Sequence, residues 1–273
     1  MGDALEQDGV ARTRRNLLSK VPQVTLAFWI VKILATTLGE TGGDSLSMTL
    51  QLGYAVSSLI FLGFFLVTLA AQVASERYHP VFYWAVVVAT TTVGTTTSDY
   101  LDRTLGLGYV KSSIMLFCAV VAVLIIWRSI TGRIEFEDIT SRPSEIFYWM
   151  TILVSNTLGT ALGDFIATTT GLGFERGALV FAGLIALVAG AHFFTTLPDY
   201  LLFWAAYVLT RPLGATLGDT LTKSHAEGGL GLGRIISSLV IAAAMVLVIS
   251  LTAQRQRLPL PSREASDEGA ASD

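Results

Sequence analysis

The chain has 273 residues, of which 52% are hydrophobic and only 14% charged, against about 25% charged in an ordinary soluble domain. Mean hydropathy is +0.60, and the formal net charge of -3 comes without any basic run interleaved with aromatics, which argues against nucleic acid as a partner. Cys118 is the single cysteine and lies in an apolar run, so an intrachain disulfide is excluded and a small buried thiol is expected.

Residues 1–21 form a polar, basic N-terminal segment carrying Arg12, Arg14, Arg15 and Lys20. No short apolar stretch with a small-residue cleavage site follows, so a removable signal peptide is not expected. From Val24 to Thr252, apolar runs of roughly 20 residues recur, the length that crosses a bilayer core of about 30 Å. The chain therefore reads as a polytopic membrane protein.

The runs are organised as four repeats. "FWIVKILATTLGETGGD" runs from Phe28 to Asp44, "YWAVVVATTTVGTTTSD" from Tyr83 to Asp99, "YWMTILVSNTLGTALGD" from Tyr148 to Asp164, and "FWAAYVLTRPLGATLGD" from Phe203 to Asp219. All four align without a gap, placing Trp29, Trp84, Trp149 and Trp204 on one position and Gly39, Gly94, Gly159 and Gly214 on another. Four of the five tryptophans on a single register leave no room for chance.

Each motif is followed by a glycine-containing link ("LQLGY", "LGLGY", "TGLGF", "GLGLG") and a second apolar run starting near Tyr54, Tyr109, Phe174 or Arg234. Each repeat then reads as a helix hairpin, and the expected fold is an all-α bundle of eight transmembrane helices from four parallel hairpins. The boundaries expected are 22–79, 80–143 (with a cytoplasmic loop), 144–198 and 199–255, followed by a disordered tail, 256–273. The loop 128–145 is the longest cytoplasmic connection, a solvated linker that could also serve as a docking surface.

Counting Lys and Arg on the two sides sets the orientation. Arg12, Arg14, Arg15, Lys20, Arg77, Arg128, Arg133, Arg142, Arg255, Arg257 and Arg263 fall on one side, and Arg103, Lys111, Arg176, Lys223 and Arg234 on the other. Eleven against five places both termini in the cytoplasm, and the motif aspartates near the outer ends of the odd-numbered helices. Repeats of two spans all point the same way.

At about 100° per residue, Lys32, Thr36, Glu40 and Asp44 form one stripe on the first helix. The matching rungs are Val87, Thr91, Thr95 and Asp99, then Ile152, Asn156, Thr160 and Asp164, then Tyr207, Arg211, Ala215 and Asp219. Gly39 with Gly43, and Gly159 with Gly163, have the spacing that lets helices approach closely. An ionisable residue near the bilayer centre costs on the order of 3 kcal/mol. Lys32, Glu40 and Arg211 are therefore expected to face partners or a wet cavity. A structural ion pair between Lys32 and Glu40 is one such arrangement, and Glu40 with Arg211 across a closed ring is another. Pro212 removes a backbone donor and is expected to open the fourth repeat's first helix near its middle.

Glu40, Asp44, Asp99, Asp164 and Asp219 are the candidate metal ligands, with Thr36, Thr91 and Asn156 along the same cation pathway and Lys32 and Arg211 as intramembrane charge partners. Against those two cations the five acids leave an excess of three negative charges, and oxygen ligands suit manganese, magnesium or calcium. His79, His192 and His225 share no repeat position, so a histidine-based site is not expected. No cofactor is called for, and no nucleophile elbow, P-loop or metalloprotease motif argues for an enzyme.

The stretch "KVPQVTLAFWIVKILATTLGETGGD", residues 20 to 44, and its three echoes resemble a family of bacterial repeat proteins usually labelled uncharacterised membrane-anchored proteins. The resemblance covers roughly residues 16 to 255 and implies multi-pass residence in the bacterial inner membrane. It carries no activity, so the functional expectation rests on the ladder. That expectation is gradient-driven transport of a small cation, a divalent metal being the first candidate. The alternatives are a non-transporting sensor or assembly partner whose charges are interhelical glue, and a channel-like pore, for which "TTVGTTTSD" gives only a faint filter-like cue. The sequence leaves the ion, its direction, the energy coupling and the oligomeric state open.

Overall fold

A computed structural model describes residues 22–257 except 76, 77, 135–138 and 140, with the backbone alone at 255–257. The basic segment 1–21, Arg77, most of the acidic stretch between residues 134 and 140, and the tail from Leu258 lie outside the described residues. The described residues form eight α-helices and no strand: α1 (Leu26–Asp44), α2 (Gly53–Ala74), α3 (Pro80–Asp99), α4 (Gly108–Thr131), α5 (Arg142–Asp164), α6 (Phe174–Phe194), α7 (Asp199–Thr222) and α8 (Arg234–Arg257).

Local signals set the starts of the inner helices. Thr25 caps α1 by accepting from the Phe28 amide (3.3 Å), and Ser141 caps α5 by accepting from the Ser144 amide (3.3 Å). Pro80 opens α3 and Pro143 lies in the first turn of α5, where a missing N–H costs nothing. At their other ends α1, α3 and α5 do not stop at the motif aspartate. Each runs on through one π-helical turn (Ser45–Thr49, Tyr100–Thr104, Phe165–Thr169). The link then needs left-handed backbone, supplied by Gly106 and Gly108 in the second repeat, and by Gln51 and Gly53 in the first.

Helices α1, α3, α5 and α7 form a closed inner ring, each packed on the next and α7 on α1. The outer helices are displaced by one repeat: α2 lies against α3, α4 against α5, α6 against α7, and α8 against α1. The two helices of a repeat scarcely touch. This corrects the expected hairpins, in which each pair would pack on itself. The short link only reverses the chain, and the apolar face of the second helix finds its partner in the following repeat.

Glycine explains why the ring can be so tight. A Cβ at Gly39 would collide with Thr91, at Gly94 with the backbone of Asn156 and Thr157, at Gly159 with Arg211, and at Gly214 with Thr36. Each motif glycine thus receives the next repeat's second-rung residue, and the last receives the first. Aromatic rings repeat the pattern at the opposite end of the motif. Phe28 meets Trp84 (5.7 Å between centroids), Tyr83 meets Trp149 (5.5 Å), Tyr148 meets Trp204 (5.9 Å), and Phe203 meets Trp29 (5.8 Å). This belt fills the end of the ring where the helices begin.

Among the described residues, five helices are long and apolar enough to cross a membrane by length and composition: α2, α4, α6, α8, and α5 with its π turn. The four outer ones present faces such as Leu59, Ile114, Leu187 and Ile236 that are largely exposed. The inner α1, α3 and α7 are less apolar because their surroundings are protein. Their threonine hydroxyls are satisfied within the helix, as Thr37 donates to the Ile33 carbonyl (2.9 Å) and Thr92 to the Ala89 carbonyl (2.9 Å), the usual i-3 and i-4 back-bonds. Helix α7 also runs unbroken through Pro212, contrary to the opening expected there. Thr36 donates across the ring to the Thr210 carbonyl (3.1 Å), two residues before the proline.

The glycine contacts make a paired prediction. Gly214→Ala places a methyl 2.7 Å from the Thr36 backbone and should cost about 1–3 kcal/mol by overpacking. Gly42→Ala meets only the Thr92 methyl at 3.8 Å and should be neutral or slightly stabilising, since alanine is the better helix former. Thermal unfolding of the two purified variants checks this, and equal melting temperatures would refute the close-packed ring.

Candidate functional site

The ring axis is filled at four levels. Lys32, Val87, Ile152 and Tyr207 form the level next to the aromatic belt, followed by Thr36, Thr91, Asn156 and Arg211, then Glu40, Thr95, Thr160 and Ala215, then Asp44, Asp99, Asp164 and Asp219; all sixteen are buried. The predicted ladder residues therefore do converge on one axis, on helices α1, α3, α5 and α7.

Arg211 dominates the middle. Its Nη2 donates to Glu40 Oε2 (3.1 Å), Thr160 Oγ1 (2.6 Å) and Thr95 Oγ1, and Nη1 points at the Thr36 carbonyl (3.5 Å). Thr95 also donates to Glu40 Oε2 (3.2 Å). Glu40 thus pairs with Arg211 across the seam between the first and last repeats, and not with Lys32. Lys32 is fully buried, and its Nζ makes no hydrogen bond in the described structure. It lies over the Tyr207 ring at 4.1 Å, a cation–π contact. Thr91 donates to the Ala35 carbonyl (3.2 Å) and Asn156 Nδ2 to Thr90 Oγ1 (3.0 Å). In this form, both side chains hold neighbouring helices together.

The four aspartates form two pairs, each bridged by a cation. Arg103 Nε lies 3.2 Å from Asp99, and its Nη2 lies 3.2 Å from Asp164. Lys223 Nζ lies 3.2 Å from Asp219 and 3.5 Å from Asp44, which Arg234 also approaches (3.4 Å). Burial pushes the Lys223 ammonium down, but Asp219 and then Asp44 outweigh it and its pKa is raised. Arg103 thus serves Asp99 and Asp164, and Lys223 serves Asp219 and Asp44. Among the described residues, only Glu40, Asp44 and Asp219 bring one carboxylate oxygen each to within 4.8 Å of one another, the spacing of a cation's oxygen shell.

A family described as Repeat of Unknown Function (DUF347) matches residues 27–78, 82–132, 147–197 and 202–257. The chain belongs to that family. No curated protein and no solved structure matches it. Each DUF347 repeat supplies one helix to the inner ring and one helix that covers the next repeat's inner helix.

Reading the repeats by their shared positions missed Arg103, Lys223 and Arg234, which entered only the topology count. The signal was present four residues beyond the motif aspartate, where the repeats carry Met48, Arg103, Thr168 and Lys223 in turn. One helical turn brings such a residue back over the aspartate. With these three included, the five acids face five cations (Lys32, Arg103, Arg211, Lys223, Arg234). The expected negative excess is corrected to formal neutrality. Asp102 is a further buried acid outside the ladder, held by Ser98 (3.1 Å) and by Ser112 of α4.

The seam makes the second prediction. Glu40→Gln and Arg211→Gln should each cost about 3–5 kcal/mol, because each strands a buried charge. The double variant should cost clearly less than the sum. A double-mutant cycle on folded yield and thermal stability reads the coupling, and strictly additive losses would mean that the pair does not hold the seam.

Proposed function

We propose that the protein is an eight-span bacterial inner-membrane transporter of a small cation, with both termini in the cytoplasm. The observation that carries the proposal is the convergence of Glu40, Asp44 and Asp219 at the end of a fully buried polar axis. Their carboxylate oxygens suit a hard cation such as Mn²⁺, Mg²⁺ or Ca²⁺. The spans include the three less apolar inner helices, because these lie inside a collar of four apolar ones and meet protein, not lipid. A sequence without a nucleotide-binding motif points to a gradient as the energy source.

Formal neutrality shapes the mechanism. A cation entering a balanced core raises its charge in a medium that solvates charge poorly. Entry of a divalent ion is therefore coupled to the loss of two positive charges, as released protons, withdrawn built-in cations or one of each. The second reading is a sensor or assembly partner with structural charges, and the observation favouring it is that every motif aspartate already has a cationic partner.

Flux in proteoliposomes separates the two. Mn²⁺, Mg²⁺ and Ca²⁺ are each presented with and without a pH gradient, using wild type, Asp44→Asn and Asp219→Asn. At least one cation should cross in wild type, and about a tenfold slower rate is expected in the variants, the equivalent of 1.4 kcal/mol. No flux of any of the three in folded wild type would favour the structural reading. Orientation has its own check: Ser45→Cys and Ser224→Cys in a Cys118→Ala background should react with an impermeant thiol reagent from the periplasm. Labelling only from the cytoplasm would reverse the topology.

A further inference from the structure

The fourth repeat leaves its inner helix differently from the other three. It has no π turn, and residues 223–233 fold back over the end of α7. The amides of Leu230, Gly231 and Leu232 donate to the carbonyls of Thr220 (2.7 Å), Lys223 (2.8 Å) and Leu221 (2.9 Å). Gly229 lies so close to the Lys223 backbone that a Cβ there would sit 2.2 Å from the carbonyl oxygen. Gly228 and Gly231 adopt positive φ. Glu227 closes the turn by accepting from the Ser224 hydroxyl (2.7 Å) and amide (3.2 Å), and these contacts hold its carboxyl below the usual range. The strap therefore begins with one cation, Lys223, and delivers a second, Arg234, at the start of α8. Both reach Asp44.

The two halves of the acidic level are unequal. Arg103 meets Asp99 and Asp164 through two nitrogens of one planar fork, each at 3.2 Å. Below that pair stand Thr95 and Thr160, and among the described residues the compact group of three carboxylates forms on the other side, from Glu40, Asp44 and Asp219. Lys223 offers instead a compact ammonium, and a carboxylate lies below it, Glu40. Asp44, 1% exposed, turns an Oδ1 that accepts no hydrogen bond. The Oδ1 atoms of Asp99 and Asp219 also accept no hydrogen bond, but they lie against Arg103 and Lys223. Among the described residues, Asp44 Oδ1 is therefore the one with no cation beside it, and it is free to serve a ligand.

We infer that Lys223 is a tethered stand-in for the transported cation. Its ammonium neutralises the Glu40–Asp44–Asp219 group at rest, and the site takes an external cation only when the 223–233 strap carries that ammonium away. The inference rests on the reading that this triad is a cation site. It adds a device that limits the change of charge in the core, because the departing ammonium offsets one of the two charges that a divalent cation brings.

The test uses purified full-length protein in lipid nanodiscs, with MnCl₂, CaCl₂ or MgCl₂ as the only added probe. Lys223→Met should melt lower than wild type in chelator and regain its stability as one of these cations is added. The midpoint should lie at least about tenfold below any response of wild type. Lys223→Met combined with Asp44→Asn should show no such gain. Arg103→Met, which also strands two carboxylates, should not respond to the same cation in that range. Wild type gives a readout that needs no substitution: trypsin cleavage after Lys223 should speed up when the cation is added, and not with choline chloride. The inference is overturned if no cation moves either the Lys223→Met melting curve or wild-type cleavage, or if Arg103→Met responds equally. Cation-restored Lys223→Met beside a wild type without flux would retire transport and keep the site. Flux beside a Lys223→Met that binds no better than wild type would retire the stand-in alone.

Discussion

One guanidinium touches every inner helix. Arg211 stands on α7 and reaches Glu40 on α1, Thr95 on α3 and Thr160 on α5, all away from solvent. A buried charge of this kind is costly unless it is paired and its remaining donors are met, so each of those partners is held in place by the same requirement. Arginine suits the role because its fork projects several donors in fixed directions. Gly159 makes it possible, since any side chain there would occupy the space taken by the arginine's Cβ and Cγ. The seam between first and last repeats therefore closes around the Glu40–Arg211 ion pair, the joint between third and fourth around Arg211 itself, and the other two around Thr91 and Asn156.

Displacement by one repeat has a consequence for how the fold comes together. Because α2 covers α3 and α8 covers α1, no repeat buries its own apolar faces. Helix α1 packs on α3 but is fully covered only when α7 and α8 arrive. A solenoid with this shift would end in two unsatisfied caps; curling into a ring of four removes both ends. The cost is a long-range closure, carried by contacts between residues about 170 apart in sequence, such as Glu40 with Arg211, which topology makes slow.

Much of this was legible in the residues. The gapless register of Trp, Gly and Asp shows four repeats, and the i, i+4 stripe places the buried levels correctly, because a straight helix keeps residues at that spacing on one face. Even the Glu40–Arg211 contact follows once the repeats are allowed to close. The partner of each outer helix was not legible, since periodicity gives a buried face without saying what covers it. Arg103 and Lys223 were hidden for a different reason. They occupy a position that only two of the four repeats use for charge, so a search for what the repeats share passes over them. Differences between repeats held the electrostatics, and similarities held the architecture.

That division bears on what a neutral core means. Four identical repeats with an aspartate each would make a ring of like charges that could not all stay ionised in a dry interior. Divergence solved this unevenly, with arginine on the second repeat and lysine on the fourth. Each spans its own aspartate and that of the following repeat. The result is a near two-fold arrangement imposed on a four-fold scaffold. Its two halves differ in the stiffness of the cation, in the carboxylate below it, and in the chain that carries it. The proposed exchange site would use that asymmetry: it needs a cation held firmly enough to keep the core closed, on a strap with the glycines to let it go.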